Sequence, residues 1–167
     1  MSGLEDLYRE IILDHYRSPR NRGELATPPA HRAEGFNPLC GDEIVVYLAV
    51  DDELAGDDAR VVDVKISGQG CSISQASASM MSAAIKGKTI REVRDITQAF
   101  KSMMSLHENE LEGEDPAPEP MAAPDVELGD LEALRGVVKF PVRIKCATLS
   151  WNTLAQAVAE ASQPAAS

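Results

Sequence analysis

The sequence is short of cysteine, of aromatic residues and of long apolar runs, and each shortage excludes a class of protein. It has three Cys, three Phe and one Trp among 167 residues. A chain of this size buries one core of ordinary dimensions, so we expect a single domain over residues 1–167. No apolar run approaches the roughly 20 residues that span a bilayer. The N-terminal MSGLEDLYRE lacks the basic and then apolar layout of a signal peptide, which predicts a cytoplasmic protein.

Positive charge is also scarce. The net charge of −11 argues against nucleic acid and anionic membranes as partners. Nine acidic residues lie between His107 and Asp130 with no Lys or Arg among them, and they account for most of that net charge. We call residues 107–130 the acidic segment. The body of the protein is therefore close to neutral.

Hydrophobic periodicity predicts a mixture of helices and strands. The Val- and Ile-rich stretches DEIVVYLAV and ARVVDVKISG predict two antiparallel strands joined by a polar connection. Helices are expected at four places: from the N-terminus to about residue 16, from Cys71 to Gly87, from residue 90 or 95 to 106, and from 147 to 161. We expect residues 24–37 to form a loop, and residues 137–145, VVKFPVRIK, to be extended.

The three cysteines all fall at predicted element boundaries. Cys40 precedes a strand, Cys71 follows a Gly-x-Gly turn at a helix start, and Cys146 lies between the extended stretch and the final helix. An odd number of cysteines in a reducing compartment disfavours a disulfide framework. Burial as a small apolar residue is the alternative for any single cysteine. Free backbone N–H groups at element ends instead favour thiolates.

Asp42 strengthens the case for a metal site. An aspartate two residues after Cys40 can point its carboxylate to the same side as the thiol. Three thiolates and one carboxylate form a plausible tetrahedral set for Zn²⁺. The same residues suit an iron–sulfur cluster, whose ligands are mainly thiolates. The spacing alone does not separate these two.

These motifs resemble the U-type iron–sulfur assembly proteins, the family related to IscU and to the NifU N-terminal region, and in particular its SufU-type branch. The resemblance rests on LCGD around Cys40, GQGCSISQASASMM around Cys71 and RIKCATLSW around Cys146, and it extends from YREIILDHYRSPRNRG to the final helix. IscU-type scaffolds carry His directly before the third cysteine, where this chain has Lys145. SufU-type members also carry an insertion between the second and third cysteines, which matches the acidic segment.

The resemblance implies an α+β fold in which a small antiparallel sheet of about three strands has helices packed on one face. It implies zinc held by Cys40, Asp42, Cys71 and Cys146. It further implies that Cys40 accepts persulfide sulfur from a SufS-like cysteine desulfurase and passes it to a downstream Suf-type cluster scaffold. The alternative within the family is a scaffold on which the cluster itself is assembled, and the oligomeric state is left open.

Arg143 and Lys145 flank the third cysteine. In an extended segment, alternation puts both on one face and Cys146 on the other. Arg143 is then a candidate partner for Asp42, and the alternative is a solvated basic face. A purely structural zinc module is disfavoured by Asp42, because structural sites usually employ Cys and His. The sequence leaves open whether the protein is a sulfurtransferase or an activating substrate of the desulfurase.

Overall fold

The fold is built from a three-stranded antiparallel sheet and the helices that cover one of its faces. The computed structural model describes residues 3–27, 30–38, 41–51, 58–112 and 128–162. In chain order the elements are α1 (Gly3–Arg17), β1 (His31–Asn37), β2 (Asp42–Val50), β3 (Val61–Gln69), α2 (Ser72–Ile85), α3 (Ile90–Glu112), a 3₁₀ helix (Gly129–Lys139) and α4 (Pro141–Ser162).

The sheet has the strand order β1-β2-β3, and both neighbouring pairs are antiparallel. On the central strand, Ile44, Val46 and Leu48 alternate towards the helices and are fully buried. This alternation is the pattern of a sheet with one covered face. The α+β class, the small antiparallel sheet and the two strands predicted from DEIVVYLAV and ARVVDVKISG are confirmed.

The prediction of a loop over residues 24–37 is wrong, because β1 occupies the second half of that stretch. Its inward positions are Ala33, Gly35 and Asn37, which are small or polar and so give no hydrophobic alternation. The reason lies in α4, which packs directly on β1. A Cβ on Gly35 would overlap the hydroxyl of Thr153 on that helix.

The prediction of an extended segment over residues 137–145 is also wrong. The 3₁₀ helix runs to Lys139, and α4 begins at Pro141. Proline is well tolerated in the first turn of a helix, because the N–H that it lacks has no partner within the helix there. A short run rich in Val and Ile does not by itself distinguish a strand from a buried helix.

The serine-rich helix α2 lies between α1 and α4 and forms hydrogen bonds to both sides. Ser77 donates to the carbonyl of Ala147 at 2.6 Å and accepts from the indole N–H of Trp151 at 3.2 Å. Trp151 in turn stacks on Phe100 of α3, with ring centroids 4.7 Å apart. These contacts fix the start of α4 against α2.

His15 joins three elements on the other side of α2. It is 2 % exposed, its Nδ1 lies 2.8 Å from Ser79 Oγ of α2, and its Nε2 lies 2.9 Å from Asp130 Oδ2 of the 3₁₀ helix. A buried polar side chain is retained where its hydrogen bonds are satisfied. This arrangement holds the end of α1 against the beginning of the 3₁₀ helix.

The acidic segment begins inside α3, which continues six residues beyond the predicted end at Leu106 and ends at Glu112. Residues 113–127, which make up most of the rest of the segment, lie outside the described residues. Within the part of the chain that the structure describes, no helix is both long enough and apolar enough to cross a membrane.

Candidate metal centre

The first component of the site is the pair of residues at the end of the β1–β2 hairpin. Asn37 closes β1 and Asp42 opens β2, and the two are directly opposite in the register. Both side chains point to the covered face, with Asp42 fully buried and Asn37 7 % exposed. The Asn37 amide nitrogen lies 3.4 Å from Asp42 Oδ2. A buried carboxylate of this kind requires donors or a cation nearby.

Cys71 reaches Asp42 from the turn between β3 and α2. It occupies the N-cap of α2, as the sequence predicts, and its backbone N–H donates to Asp42 Oδ1 at 2.8 Å. The preceding Gly70 allows this approach, because a Cβ there would overlap Asp42 and Ser74. Arg22 supports the same turn by donating to the carbonyl of Gly68 at 2.7 Å. Cys71 thus lies at the positive end of the dipole of α2.

Cys146 comes from α4. It was predicted to lie between two elements, but it lies within the helix, five residues after Pro141, and is fully buried. Its Sγ lies 3.9 Å from the carbonyl of Val142 and 3.7 Å from the amide nitrogen of Asn37. The third thiol is therefore placed by a rigid helix that is fixed to α2 and to the sheet.

The structure brings Asp42, Cys71 and Cys146 together as a candidate metal-binding group. One ligand atom from each lies within 4.8 Å of the other two. Zinc binds sulfur at about 2.3 Å and carboxylate oxygen at about 2.0 Å, so tetrahedral ligand atoms are about 3.5 Å apart. Small movements of the side chains close the remaining distance. Two sulfurs and one oxygen from three different elements fit a thiophilic divalent metal.

Cys40, the fourth predicted ligand, lies outside the described residues. In the sequence it falls within the four-residue connection between Asn37 and Asp42, whose Cα atoms are paired. Its part in the site stays a prediction.

Arg143 lies on the same face of α4 as Cys146, since residues three apart in a helix are neighbours. The expectation that the two face opposite ways depended on an extended backbone and is wrong. Electrostatic interaction with Cys71, and more weakly with Cys146, raises the pKa of Arg143. Pairing of Arg143 with Asp42 stays a prediction.

Asn37 is the residue of the site that no sequence motif predicted. It lies two residues before the LCGD motif, but a role for its side chain follows only from its position opposite Asp42. Because residues 24–37 had no strand-like pattern, this register could not be deduced. Lys145, adjacent to Cys146, is exposed and does not belong to the ligand group.

Comparison with known proteins gives a consistent result. Residues 7–147 match the family model described as the NifU-like N-terminal domain. The zinc-dependent sulfurtransferase SufU of Bacillus subtilis is 43 % identical over 159 residues, which cover 95 % of this chain and 94 % of that protein. The iron–sulfur cluster assembly scaffold protein IscU of Streptococcus pyogenes is 37 % identical over 158 residues, covering 95 % and 86 %.

A solved structure from Fervidobacterium islandicum, described as a candidate iron–sulfur cluster assembly scaffold protein for the SUF system, superposes with a TM-score of 0.61. It is 32 % identical, and the alignment covers 89 % of this chain and 94 % of that one. The resemblance to SufU-type proteins predicted from the cysteine motifs is thereby confirmed. The chain belongs to the NifU-like N-terminal domain family of iron–sulfur cluster assembly proteins.

Proposed function

We propose that this protein is a zinc-dependent sulfur-transfer protein of iron–sulfur cluster assembly, which accepts persulfide sulfur from a cysteine desulfurase on Cys40. A role in cluster assembly agrees with the family and with the names of its relatives. The observation that carries the proposal is the gathering of Asp42, Cys71 and Cys146 within 4.8 Å at one end of the sheet.

Cys40, Asp42, Cys71 and Cys146 would hold the zinc. When bound, zinc supplies a positive charge that keeps the coordinating thiols deprotonated. The donor set supports a site with a task beyond structure, because structural zinc sites usually use only Cys and His. Asp42 is the departure from that rule.

Sulfur transfer itself is an exchange between two cysteines. The Cys40 thiolate attacks the terminal sulfur of a persulfide on the desulfurase, a new S–S bond forms as the old one breaks, and the desulfurase cysteine leaves as a thiolate. No net oxidation or reduction occurs. In the next step, a thiolate of a downstream Suf-type scaffold attacks the terminal sulfur of the Cys40 persulfide by the same exchange, and Cys40 leaves as a thiolate.

Arg143 is proposed to pair with Asp42 during this exchange. Interaction with Cys71, and then with Cys146, raises the pKa of the Arg143 guanidinium. One carboxylate oxygen of Asp42 lies within 4.8 Å of both sulfurs, so the carboxylate and the guanidinium are both neighbours of the same two cysteines. Arg forms strong, charge-assisted hydrogen bonds with carboxylates, which suits such a pairing.

Exposed apolar side chains beside the site support a partner that covers it. Phe140 is 62 % and Val142 is 58 % exposed, and both belong to the segment that leads into Cys146. Phe36, adjacent to Asn37, is 61 % exposed. We propose that a SufS-like cysteine desulfurase contacts these three residues, since exposed aromatic and aliphatic side chains next to a functional site are common interface anchors.

Cluster assembly on the same thiolates is the second candidate function. It is supported by the 37 % identity to a protein named as an IscU scaffold. An exposed lysine at position 145, where IscU-type scaffolds carry His, favours sulfur transfer instead.

Two measurements on the same preparation test the proposal. Elemental analysis and the visible spectrum of aerobically and anaerobically purified protein identify the metal, and we expect about one zinc per chain and no chromophore. The protein is then mixed with a SufS-like desulfurase and cysteine, alkylated, and digested for mass spectrometry. We expect a gain of one sulfur atom on the peptide that contains Cys40, and none in Cys40→Ser.

Iron and sulfide in near-equal amounts with a brown colour would instead establish the scaffold function. Bound zinc with persulfide accumulating on Cys71 or Cys146 but never on Cys40 would refute the assignment of the acceptor.

A further inference from the structure

Asn37 contacts two of the three described ligands of the metal centre at once. Its side-chain nitrogen lies 3.4 Å from Asp42 Oδ2 and 3.7 Å from Cys146 Sγ. These ligands belong to β2 and α4, two elements that are far apart in sequence. One amide group therefore links the sheet to the last helix at the point where the metal would bind.

The chemistry of the neighbours determines which end of the amide faces them. A carboxylate and a thiolate, the forms that bind metal, both accept hydrogen bonds and donate none. The amide NH₂ has two hydrogens, which is one for each acceptor. The opposite orientation would place the amide oxygen against a carboxylate oxygen, which is repulsive.

The second carboxylate oxygen of Asp42 is bound as well. Its Oδ1 accepts the backbone N–H of Cys71 at 2.8 Å. A continuous set of contacts thus runs from Cys71 to Asp42, from Asp42 to Asn37, and from Asn37 to Cys146. Each carboxylate oxygen retains a lone pair that can reach a metal. The contacts orient the ligands without using up their capacity to coordinate.

We infer that Asn37 is a positioning residue of the metal centre, which holds the Asp42 carboxylate and the Cys146 thiolate in the arrangement that a divalent thiophilic metal requires. The inference rests on the proposed function only in that the site binds metal. Groups behind the ligands fix their orientation and commonly contribute 10- to 100-fold to metal affinity. Asn37 differs from a simple core residue in that its partners are the ligands themselves.

The test compares metal binding by Asn37→Ala and Asn37→Leu with the wild-type chain. Alanine removes the amide group and leaves a space. Leucine also removes the amide group but approximately keeps its volume, so the packing around position 37 stays close to native. Affinity for Zn²⁺ is measured by competition with a chromophoric chelator. The Co²⁺-substituted form is measured by its absorption spectrum, which reports thiolate ligation directly, and thermal unfolding is recorded on the metal-free proteins.

A matched control is Thr153→Val. Thr153 is 2 % exposed, lies on α4, donates to the carbonyl of Leu149 at 2.8 Å and does not belong to the ligand group. We expect both Asn37 variants to bind zinc about 10-fold more weakly or worse, with a changed cobalt–thiolate absorption. We expect Thr153→Val to lower thermal stability while leaving zinc affinity within about twofold of wild type, because it removes a hydrogen bond remote from the ligands.

Asn37→Leu with wild-type affinity and an unchanged cobalt spectrum would overturn the inference, whatever its thermal stability. So would an equal loss of affinity in Thr153→Val, which would show a general effect of core stability. If the wild-type chain takes up neither zinc nor cobalt, the proposed function fails and this inference fails with it. If the wild-type chain binds metal and Asn37→Leu binds it equally well, only this inference fails.

Discussion

At the scale of single residues, Asp42 has two tasks that separate substitutions can distinguish. It is a candidate metal ligand, and its Oδ1 accepts the N–H of Cys71 at the first turn of α2. An acceptor at a helix N-terminus contributes about 1 kcal/mol to stability. The same carboxylate is therefore both a candidate metal ligand and a hydrogen-bond acceptor at the start of α2.

We predict that Asp42→Asn and Asp42→Ala both retain zinc on the remaining thiolates but transfer sulfur at least about tenfold more slowly. The asparagine keeps an oxygen that can accept from Cys71, whereas alanine does not. Only Asp42→Ala should therefore lose about 1 kcal/mol of unfolding free energy. Metal analysis, persulfide transfer and urea denaturation of both variants check this. A visible chromophore trapped in either variant would contradict the assignment of zinc.

The sequence predicts all three candidate ligands that the structure brings together, because Cys71, Cys146 and Asp42 have side chains that can bind metal. Asn37 could not be found in the same way. An amide has no preference for metal, and its role depends on a strand register that no local pattern revealed. Side-chain chemistry identifies ligands, while the groups that orient them depend on the tertiary structure.

At the scale of elements, strong periodicity predicted β2, β3 and α2 nearly to their ends. The larger failures are β1 and the start of α4, and α3 also ends six residues later than predicted. Close approach requires small inward residues on β1, which removes the alternation that marks a strand. The close packing of α4 on β1 thus explains why no local pattern predicted that strand.

The contact between β1 and α4 yields a prediction at Gly35. A methyl group there would overlap Thr153 Oγ1, so Gly35→Ala should lower the free energy of unfolding by about 1–3 kcal/mol. Adding Thr153→Ala removes the overlapping atom and should recover part of the loss. Gly136→Ala is the matched control, since its Cβ would meet nothing within 4 Å. Urea denaturation of Gly35→Ala, Thr153→Ala, the double variant and Gly136→Ala measures the effect, and additive losses in the double variant would disprove the steric explanation.

At the scale of the whole molecule, some of the exposed apolar side chains lie in the segments that lead to the candidate metal ligands. Among the described residues, six large apolar side chains are exposed, and three of them, Phe36, Phe140 and Val142, lie in segments that lead to ligands. Val62 is exposed to a similar degree, but it lies at the opposite end of β3 from Gln69, which pairs beside Asp42. Exposed apolar side chains thus occur at both ends of the sheet, but only those at one end are close in sequence to candidate metal ligands.

We predict that Phe140→Ser raises the concentration of this protein needed for half-maximal stimulation of a SufS-like desulfurase by about tenfold, because truncating an interface anchor costs more than about 1 kcal/mol. Val62→Ser should leave it unchanged. Both substitutions are at exposed positions, so zinc content and melting temperature should stay close to wild type. Equal effects of the two would indicate that the partner does not use the metal-binding end.

The buried Trp151 also provides an optical reporter. It is the one tryptophan of the chain, stacked on Phe100 and located five residues after Cys146 on α4, a distance of about 7.5 Å along the helix axis. Zinc does not absorb light at the wavelengths of tryptophan emission, whereas cobalt–thiolate centres and iron–sulfur clusters do. At so short a range an absorbing centre quenches the emission by energy transfer. The fluorescence of a single residue therefore distinguishes a colourless metal from a coloured one in the intact protein.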